Sequence, residues 1–326
     1  MSSQTASPAR WRLPQINPVY FVLAALLVAI TLSNPSFVEP TGYMNFLKRA
    51  APLAILAAGQ IYVIVSGGFD LSVGSLITLT VVGSSMLLDN DADATWWVIL
   101  VMYAIGIAVG VINGLVVSYL KVPSLIATLG MMITLNGLAF MWSSGSPRGY
   151  LPETFRYFGR VNIQGVPLFQ FLPVALIVLF AVGATFFFFM HRTNLGRMLH
   201  AVGDNPRAAQ MSGVPVERVR ILAFVVSAIS AVTAGILLGG FAGVSTDVGL
   251  GYELQAITAC VIGGAQLLGG RGSVPASIAG ALTLTAIFTL LNFIGLPKPM
   301  RDVVQGVILI AAVVLATYRR NRAGGH

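Results

Sequence analysis

Residues 96–119, WWVILVMYAIGIAVGVINGLVVSY, form an uninterrupted apolar stretch without a charged side chain. An α-helix rises 1.5 Å per residue, so about 20 such residues cross the roughly 30 Å hydrocarbon core of a bilayer. The stretch therefore predicts a membrane-spanning helix.

Comparable stretches recur along the 326 residues of the chain. Hydrophobic residues make up 56% of the sequence and charged residues 9%, with a mean hydropathy of +0.84, whereas soluble domains carry about 25% charged residues. A soluble core cannot hide this much apolar surface.

We predict an all-α, polytopic membrane protein with one transmembrane domain over 18–318 and glycine-broken helices near 67–74. About ten transmembrane helices are predicted, over 18–34, 48–66, 71–88, 96–119, 122–142, 167–190, 221–241, 253–268, 274–294 and 302–318.

The basic residues predict how the chain lies in the membrane, because Lys and Arg are more frequent in cytosolic loops. With both termini inside, twelve basic residues fall on the inner side and seven on the outer side, which also receives the acidic run 89–93. The first apolar stretch follows two arginines and resembles a signal peptide, but Ser33–Pro35 offers no small-residue cleavage site. We expect an uncleaved first span between a cytosolic tail over 1–17 and the remaining spans, with a second cytosolic tail over 319–326.

The sequence lacks the residues that several classes of function require. The single cysteine, Cys260, lies in an apolar span and leaves no disulfide framework or Cys-based zinc site. His191 and His200 flank one loop and His326 is terminal, so the histidines form no ligand set. No phosphate-binding Gly-Lys-Ser/Thr loop, GxSxG or HExxH motif occurs. We therefore expect no enzyme, bound cofactor or metal, and we interpret the net charge of +8 as membrane topology rather than nucleic-acid binding.

Asp70 is the polar residue that stands out in the apolar chain. It lies in the glycine-rich run Gly67–Ser75, and no basic residue occurs between Arg49 and Lys121. Backbone broken by glycine at membrane depth is tolerated only where protein or water satisfies it. Asp70 either caps the following helix or faces an interior path, and both interpretations stay open.

Other polar side chains at membrane depth also have two interpretations. Asn113 and Asn136 lie in spans rich in small residues, where amides can bond one helix to another. Amides, hydroxyls and aromatic faces would equally suit a neutral hydroxylated ligand. The candidate residues of a translocation path are Phe69, Asp70, Ser72, Asn113, Asn136 and Gln255.

A later part of the chain is weakly similar in sequence to the glycine-rich run. Val65–Ser75 resembles Val261–Gly264 followed by Gly269–Val274, and both segments follow an apolar span on the inner side of the predicted topology. Transporters are often built from repeats whose glycine-broken helices line the path. The similarity of the two segments suggests such an internal repeat.

A short polar helix is predicted over 206–212, inside the cytosolic loop 191–220. Asp204 or Asn205 can cap it, and Gly213 can end it in a left-handed turn. The loop also carries five arginines. A compact, basic and well-capped element suits recognition by a soluble partner, although a solvated connector would have the same pattern.

In their order and spacing, these segments resemble the permease subunits of bacterial ATP-binding cassette importers of the ribose, xylose and arabinose type, a group related to the branched-chain amino-acid permeases. The resemblance covers about residues 45–318. The segments that carry it are Gly67–Ser75, Asn113–Val117, Ile126–Gly130 with Asn136-Gly137, Arg192–Arg197 continuing through Gly203–Gly213, and Gly251–Gly264 with Gly269–Ser273.

The resemblance implies a multi-pass subunit of a bacterial inner membrane that works by alternating access. Its partners would be a second permease subunit (the same chain or a paralogue), two cytosolic ATPase subunits that hold ATP and Mg, and a periplasmic sugar-binding protein. The short helix would be the coupling element, gripped by the ATPase. Its residues that match the family's pattern are Gly203, Asp204, Asn205, Arg207, Ala208, Ala209 and Gly213.

Three other interpretations remain at this point. The importer could carry another small solute, such as a polyol, a furanone-type signal or a branched-chain amino acid. An ion-coupled secondary transporter would need buried ion sites, for which Asp70 and Glu253 are the candidates. A membrane-embedded enzyme lacks a plausible set of catalytic residues.

Overall fold

The computed structural model of the protein describes residues 17–146, 148–166, 170–297, 299–301, 303–308, 310–311 and 314. Most of these residues are helical. The helices are α1 Pro18–Ser33, α2 Pro40–Val65, α3 Val73–Leu88, α4 Thr95–Ser118, α5 Ser124–Ser143, α6 Glu153–Arg160, α7 Val174–Arg192, α8 Asn194–Asp204, α9 Pro206–Met211, α10 Val216–Ala242, α11 Tyr252–Ile262 and α12 Val274–Phe293, with a 3-10 helix at Pro35–Val38.

Within the described ranges, six helices are long and apolar enough to cross a membrane: α2, α4, α5, α7, α10 and α12. The apolar helices α1, α3 and α11 are shorter, with 16, 16 and 11 residues. The protein is thus a mostly helical, multi-pass membrane protein, but the count of about ten transmembrane helices is not confirmed. Of the last predicted span, 302–318, residues 303–308, 310–311 and 314 are described and helical. The predicted tails over 1–17 and 319–326 lie outside the described residues, except for Asn17.

Several predicted boundaries are wrong for physical reasons. The helix predicted over 253–268 ends at Ile262, because the chain turns at Gly263 and Gly264, the latter with φ +86°. The helix predicted over 48–66 begins earlier, at Pro40, since a proline without an amide hydrogen suits the first turn. The helix α8 is absent from the prediction because it is short and lies within a polar loop.

Between α5 and α7 the chain forms α6 and a small antiparallel hairpin. Its strands are β1, Asn162–Gln164, and β2, Phe171–Pro173, with Ile163 opposite Leu172. The helix predicted over 167–190 therefore begins only at Val174, after β2. Residues 167–169 of that prediction lie outside the described part.

The core of the bundle is built from α2, α3 and α10, whose residues are mostly buried, and α4 packs against α10. Three glycines at four-residue spacing, Gly106, Gly110 and Gly114, place one face of α4 against α10. A Cβ atom added at Gly110 would lie 2.7 Å from Cα of Val225, and one added at Gly114 would lie 2.6 Å from Cα of Ile221. Small residues of this kind let two membrane helices approach closely enough for backbone contact.

We call the end of the bundle at which α2 and α4 end and α5 and α10 begin the basal end. Residues from these four termini line one cavity there, among them Ser66, Ser118, Ser124 and Val216. By contrast, α3 begins inside the bundle. Asp70, just before α3, bonds Ser227, which lies 11 residues after the start of α10 and so about 17 Å along its axis.

Candidate functional site

The non-helical segment Ser66–Ser72 joins α2 to α3 in the interior of the bundle. Its backbone is satisfied by side chains of neighbouring helices. The amide of Phe69 donates to Oγ of Ser124 over 3.0 Å, and the amide of Leu71 donates to Oγ1 of Thr128 over 3.1 Å. Nε2 of Gln60 donates to the carbonyl oxygen of Asp70 over 3.2 Å. Irregular backbone persists at membrane depth only with such partners, so this segment is held by α2 and α5.

The carboxylate of Asp70 lies at the centre of a buried polar cluster. Oδ1 accepts hydrogen bonds from the amide and the hydroxyl of Ser72, over 3.0 and 2.6 Å, and Oδ2 accepts one from the hydroxyl of Ser227 over 2.9 Å. Nδ2 of Asn113 donates to the Ser72 hydroxyl over 3.0 Å. The Asp70 residue is 1% exposed. Three of the predicted path residues are thus brought together, and here they bond α3, α4 and α10 to one another.

The first turns of α3 and α11 also meet in the interior. The amide of Gly249 donates to Oγ1 of Thr78 over 3.1 Å. A Cβ atom at Gly74 would lie 2.7 Å from the carbonyl oxygen of Gly249 and would collide with the carboxylate of Glu253. Two helix N-termini, each with a positive partial charge, therefore converge beside one carboxylate.

At the basal end, α8 contacts both of the similar glycine-rich segments, Val65–Ser75 and Gly269–Val274. A Cβ atom at Gly203 would collide with the carbonyl oxygen of Val65 and the amide of Gly270. The amide of Gly270 donates to that same Val65 oxygen over 2.9 Å, and a ring nitrogen of His200 lies 2.7 Å from the Gly270 carbonyl oxygen. We call this contact of Val65, Gly203 and Gly270 the glycine junction. The two similar segments are therefore in backbone contact with each other and with the polar loop.

The short polar helix predicted over 206–212 is present as α9, Pro206–Met211. Asn205 caps it, since its Oδ1 accepts the amide hydrogen of Ala208 over 3.0 Å. Gly213 follows with φ +83°, a backbone conformation that glycine adopts without strain. The sequence left Asp204 and Asn205 as alternative caps, and the structure selects Asn205.

The predicted coupling residues divide between a packed and an exposed group. Gly203 belongs to the glycine junction, and Ala209 is 5% exposed. The exposed members are Asp204, Asn205, Arg207, Ala208 and Gly213. Met211, which the sequence did not single out, is 85% exposed. The helix α9 is thus exposed on one face, and Gly203, in the preceding helix α8, packs against the bundle.

The remaining path candidates lie apart from the Asp70 cluster. Phe69 and Gln255 are half-buried, and Asn136 is exposed on α5. No hydrogen bond joins the Asn136 side chain to another described residue. A Cβ atom at Gly130 or Gly137 would have no atom of the described chain within 4 Å, so this face of α5 is open.

Four residues of the interior site were not among the predicted path residues: Gln60, Ser124, Thr128 and Ser227. Each is a polar side chain within or at the start of an apolar helix, which is the signal that could have identified them. In the described part of the chain, no three His, Cys, Asp or Glu residues are grouped to hold a metal ion. Cys260 is buried, with its thiol donating to the carbonyl of Ala57 over 3.4 Å.

Six helices of the described residues are long and apolar enough to cross a bilayer, and they define the class of the protein, a multi-pass membrane protein. The chain belongs to the family described as branched-chain amino acid transport system / permease component, which matches residues 42–313.

Three relatives illustrate the range of this family. The ribose import permease protein of Escherichia coli is 31% identical over 325 residues, covering 97% of this chain and 98% of that protein. The L-arabinose transport system permease protein of Escherichia coli is 32% identical over 308 residues, covering 92% and 89%. The autoinducer 2 import system permease protein of Klebsiella pneumoniae is 35% identical over 309 residues, covering 94% and 88%. No solved structure matches the chain. The resemblance to permease subunits that the sequence motifs carry is confirmed.

Proposed function

We propose that the chain is the permease subunit of an ATP-binding cassette importer that carries a small sugar across the inner membrane. The observation that carries the proposal is the glycine junction, where the loop bearing the exposed α9 is in backbone contact with both glycine segments of the bundle. A displacement of α9 would thus reach the end of α2 and the loop between α11 and α12 through backbone contacts, without an intervening flexible side chain. ATP and Mg belong to separate ATPase subunits, since this chain carries no phosphate-binding loop.

The basal end is the cytosolic side in this proposal. Lys121, Arg207 and Arg220 line the cavity there, as expected from the excess of basic residues in cytosolic loops. Both tails of the chain are then cytosolic. Of the proposed coupling residues, Asp204, Asn205, Arg207, Ala208 and Gly213 then lie where a cytosolic ATPase can reach them, and Gly203 and Ala209 pack the loop against the bundle.

A second permease subunit, either the same chain or a paralogue, completes the path. The amide of Asn136 and the hydroxyl of Thr134 are exposed on α5, in a span that is only 17% buried over its apolar window. Polar groups at membrane depth face protein or water rather than lipid. The open face of α5 therefore borders the path or the second subunit. Phe69 and Gln255 supply half-buried aromatic and amide groups for the same path.

The substrate is proposed from the chemistry of these groups and from the relatives. Neutral amides, hydroxyls and an aromatic face suit a hydroxylated, uncharged solute. Of the relatives, two are named for import of ribose or arabinose and one for autoinducer 2. We infer that a periplasmic binding protein delivers such a solute, and that another small solute is the alternative cargo.

Transport follows from alternating access. ATP binding closes the ATPase pair and moves α9, and the glycine junction passes this displacement to α2 and to the loop between α11 and α12. The Asp70 cluster keeps α3, α4 and α10 together while they move. A loaded binding protein drives the cycle only if it binds one of the two states more tightly.

The test is uptake and ATPase activity of the complex reconstituted with its ATPase and binding protein. Ribose, arabinose and autoinducer 2 are offered as cargo. Arg207→Glu should abolish stimulation by loaded binding protein, while Arg218→Glu, an exposed arginine outside α9, should retain most of it. Equal activity of the two variants, or uptake that needs an ion gradient and no ATP, would contradict the proposal.

A further inference from the structure

A cavity of about 460 Å³ lies beside α9 at the basal end, and the transport role proposed above assigns no ligand to it. Its walls come from the segment that follows α2, the end of α4, the start of α5, the start of α10 and the side of α9 that bears Arg207. The volume is that of a small-molecule site, for which 300–1,000 Å³ is typical. The polar side chains that line it include Ser118, Lys121, Ser124, Arg207, Glu217 and Arg220.

The cavity carries a surplus of positive charge. Three cations line it, Lys121, Arg207 and Arg220, against one carboxylate, Glu217. Among the described residues, the ion pairs within 4.0 Å all involve Glu153, which does not line the cavity. None of the three cations is therefore neutralised by direct pairing with a described carboxylate, and an anionic ligand would find charge complementarity there.

Ser118 gives an independent indication of a ligand. It is 8% exposed, it lines the cavity, and its hydroxyl has no hydrogen-bond partner among the described residues. A buried hydroxyl without a partner is unfavourable, and native structures rarely contain one. The oxygen is closed off from the cavity in this orientation, so a ligand would supply the missing partner once the side chain turns toward the cavity.

The first turn of α5 adds hydrogen-bond donors. The helix begins at Ser124, which lines the cavity, and its N-cap is Pro123, which has no side-chain cap bond. The amide groups of an uncapped helix N-terminus bind phosphate groups well. Cations, a free hydroxyl and a helix N-terminus thus line the same space.

We propose that this cavity binds the phosphate group of a small molecule, with Lys121, Arg220 and Ser118 as its principal contacts. Its sidedness rests on the proposed function, which places the basal end in the cytosol. A phosphate ester bound there would contact Arg207 as well, and so would hold α9 against the bundle and slow transport. Phosphoryl transfer to an imported sugar is the class of reaction that would produce such a ligand.

The binding test uses the whole chain purified in detergent. Inorganic phosphate and glucose 6-phosphate are titrated, with glucose as the uncharged comparison, and both affinity and thermal unfolding are measured. Lys121→Gln and Arg220→Gln should each weaken phosphate binding roughly tenfold or more, since each removes a charge-assisted hydrogen bond. Arg218→Gln, at an exposed arginine outside the cavity, should bind as the unchanged chain does.

Ser118→Ala separates a binding role from a structural one. It should unfold at the same or a higher temperature without phosphate, because it removes an unpartnered hydroxyl, and yet it should bind phosphate more weakly. A fall in unfolding temperature with unchanged phosphate affinity would overturn the assignment of Ser118.

The source of the phosphate group is tested in nanodiscs of phosphatidylcholine with and without phosphatidylglycerol. Stabilisation by phosphatidylglycerol that Lys121→Gln abolishes, without binding of free phosphate, would assign the same site to a lipid headgroup. No binding of either, or equal binding by the Lys121→Gln and Arg218→Gln variants, would overturn the proposal. Since binding is measured on this chain alone, that result would leave the uptake test of the proposed function standing.

Discussion

Oδ2 of Asp70 lies 2.9 Å from Oγ of Ser227, a residue 157 positions later in the chain. This bond ties the segment before α3 to the middle of α10, and Ser72 continues the cluster to Asn113 on α4. The carboxylate thus accepts hydrogen bonds from Ser72, at the N-terminus of α3, and from Ser227 on α10, and so fixes where α3 begins.

Asp70→Ala should destabilise the protein strongly, because it removes the acceptor of both the amide and the hydroxyl of Ser72 and leaves the Ser227 hydroxyl only the longer bond to Oε1 of Gln60, over 3.2 Å. Each buried group left unpaired costs about 1–3 kcal/mol. Asp70→Asn keeps one oxygen acceptor and should lose less. Thermal unfolding in detergent measures both. Equal unfolding temperatures for the two variants would show that the carboxylate is not the centre of the cluster.

Gly203→Val should abolish uptake by forcing apart the backbones of Val65 and Gly270, which any Cβ atom at Gly203 would strike. ATP hydrolysis should then continue without stimulation by the loaded binding protein. Gly306→Ala is the control, since a Cβ atom there has no described atom within 4 Å. Normal uptake by Gly203→Val would remove the glycine junction from the mechanism.

Asn205→Ala should weaken α9 by about 1 kcal/mol through the loss of its N-cap. The expected result is weaker binding of the ATPase subunit and reduced uptake, with little change in the unfolding of the bundle. Asn205→Asp retains a capping oxygen and should restore most of the activity. Pull-down of the ATPase by the two variants compares them directly, and equal loss in both would show that the amide acts other than as a cap.

Asn136→Leu should leave the stability of the isolated chain unchanged, since its side chain is exposed and bonds no described residue. Uptake should fall if the amide borders the path, and pairing of the two permease subunits should fall if it lies between them. Met141→Leu is the control on the same helix, at a site 77% exposed. Unchanged uptake and unchanged pairing in Asn136→Leu would place this face of α5 in lipid.

Short-range features of the site could be predicted from the sequence because their partners are near in the chain. The cap of α9 needs only Asn205 and Ala208, and the turn after it needs only Gly213. The turn at Gly67, with φ +87°, is equally local, since glycine adopts this backbone conformation without strain.

The partners of the segment Ser66–Ser72 could not be predicted, because they come from four separate helices. Ser227, Asn113, Gln60 and Thr128 are ordinary polar residues in apolar spans, and nothing local distinguishes a bonded one from Asn136, which stays exposed. The short length of α11 was also missed, since its apolar sequence continues past Ile262 while the glycines after it pack against Ala276 and Gly203.

Composition and short-range pattern were therefore enough to identify a multi-pass membrane protein, the cap of α9 and the turn at Gly213. Hydropathy is a property of each residue, so stretches of about 20 apolar residues predict membrane helices before their neighbours are known. The meeting of the segments at Gly67 and Gly270 with Gly203, and the burial of Asp70 but not of Asn136, are visible only in the folded chain. Those outcomes depend on which helices become neighbours, and that choice is made by backbone approach at glycines distributed along the whole chain.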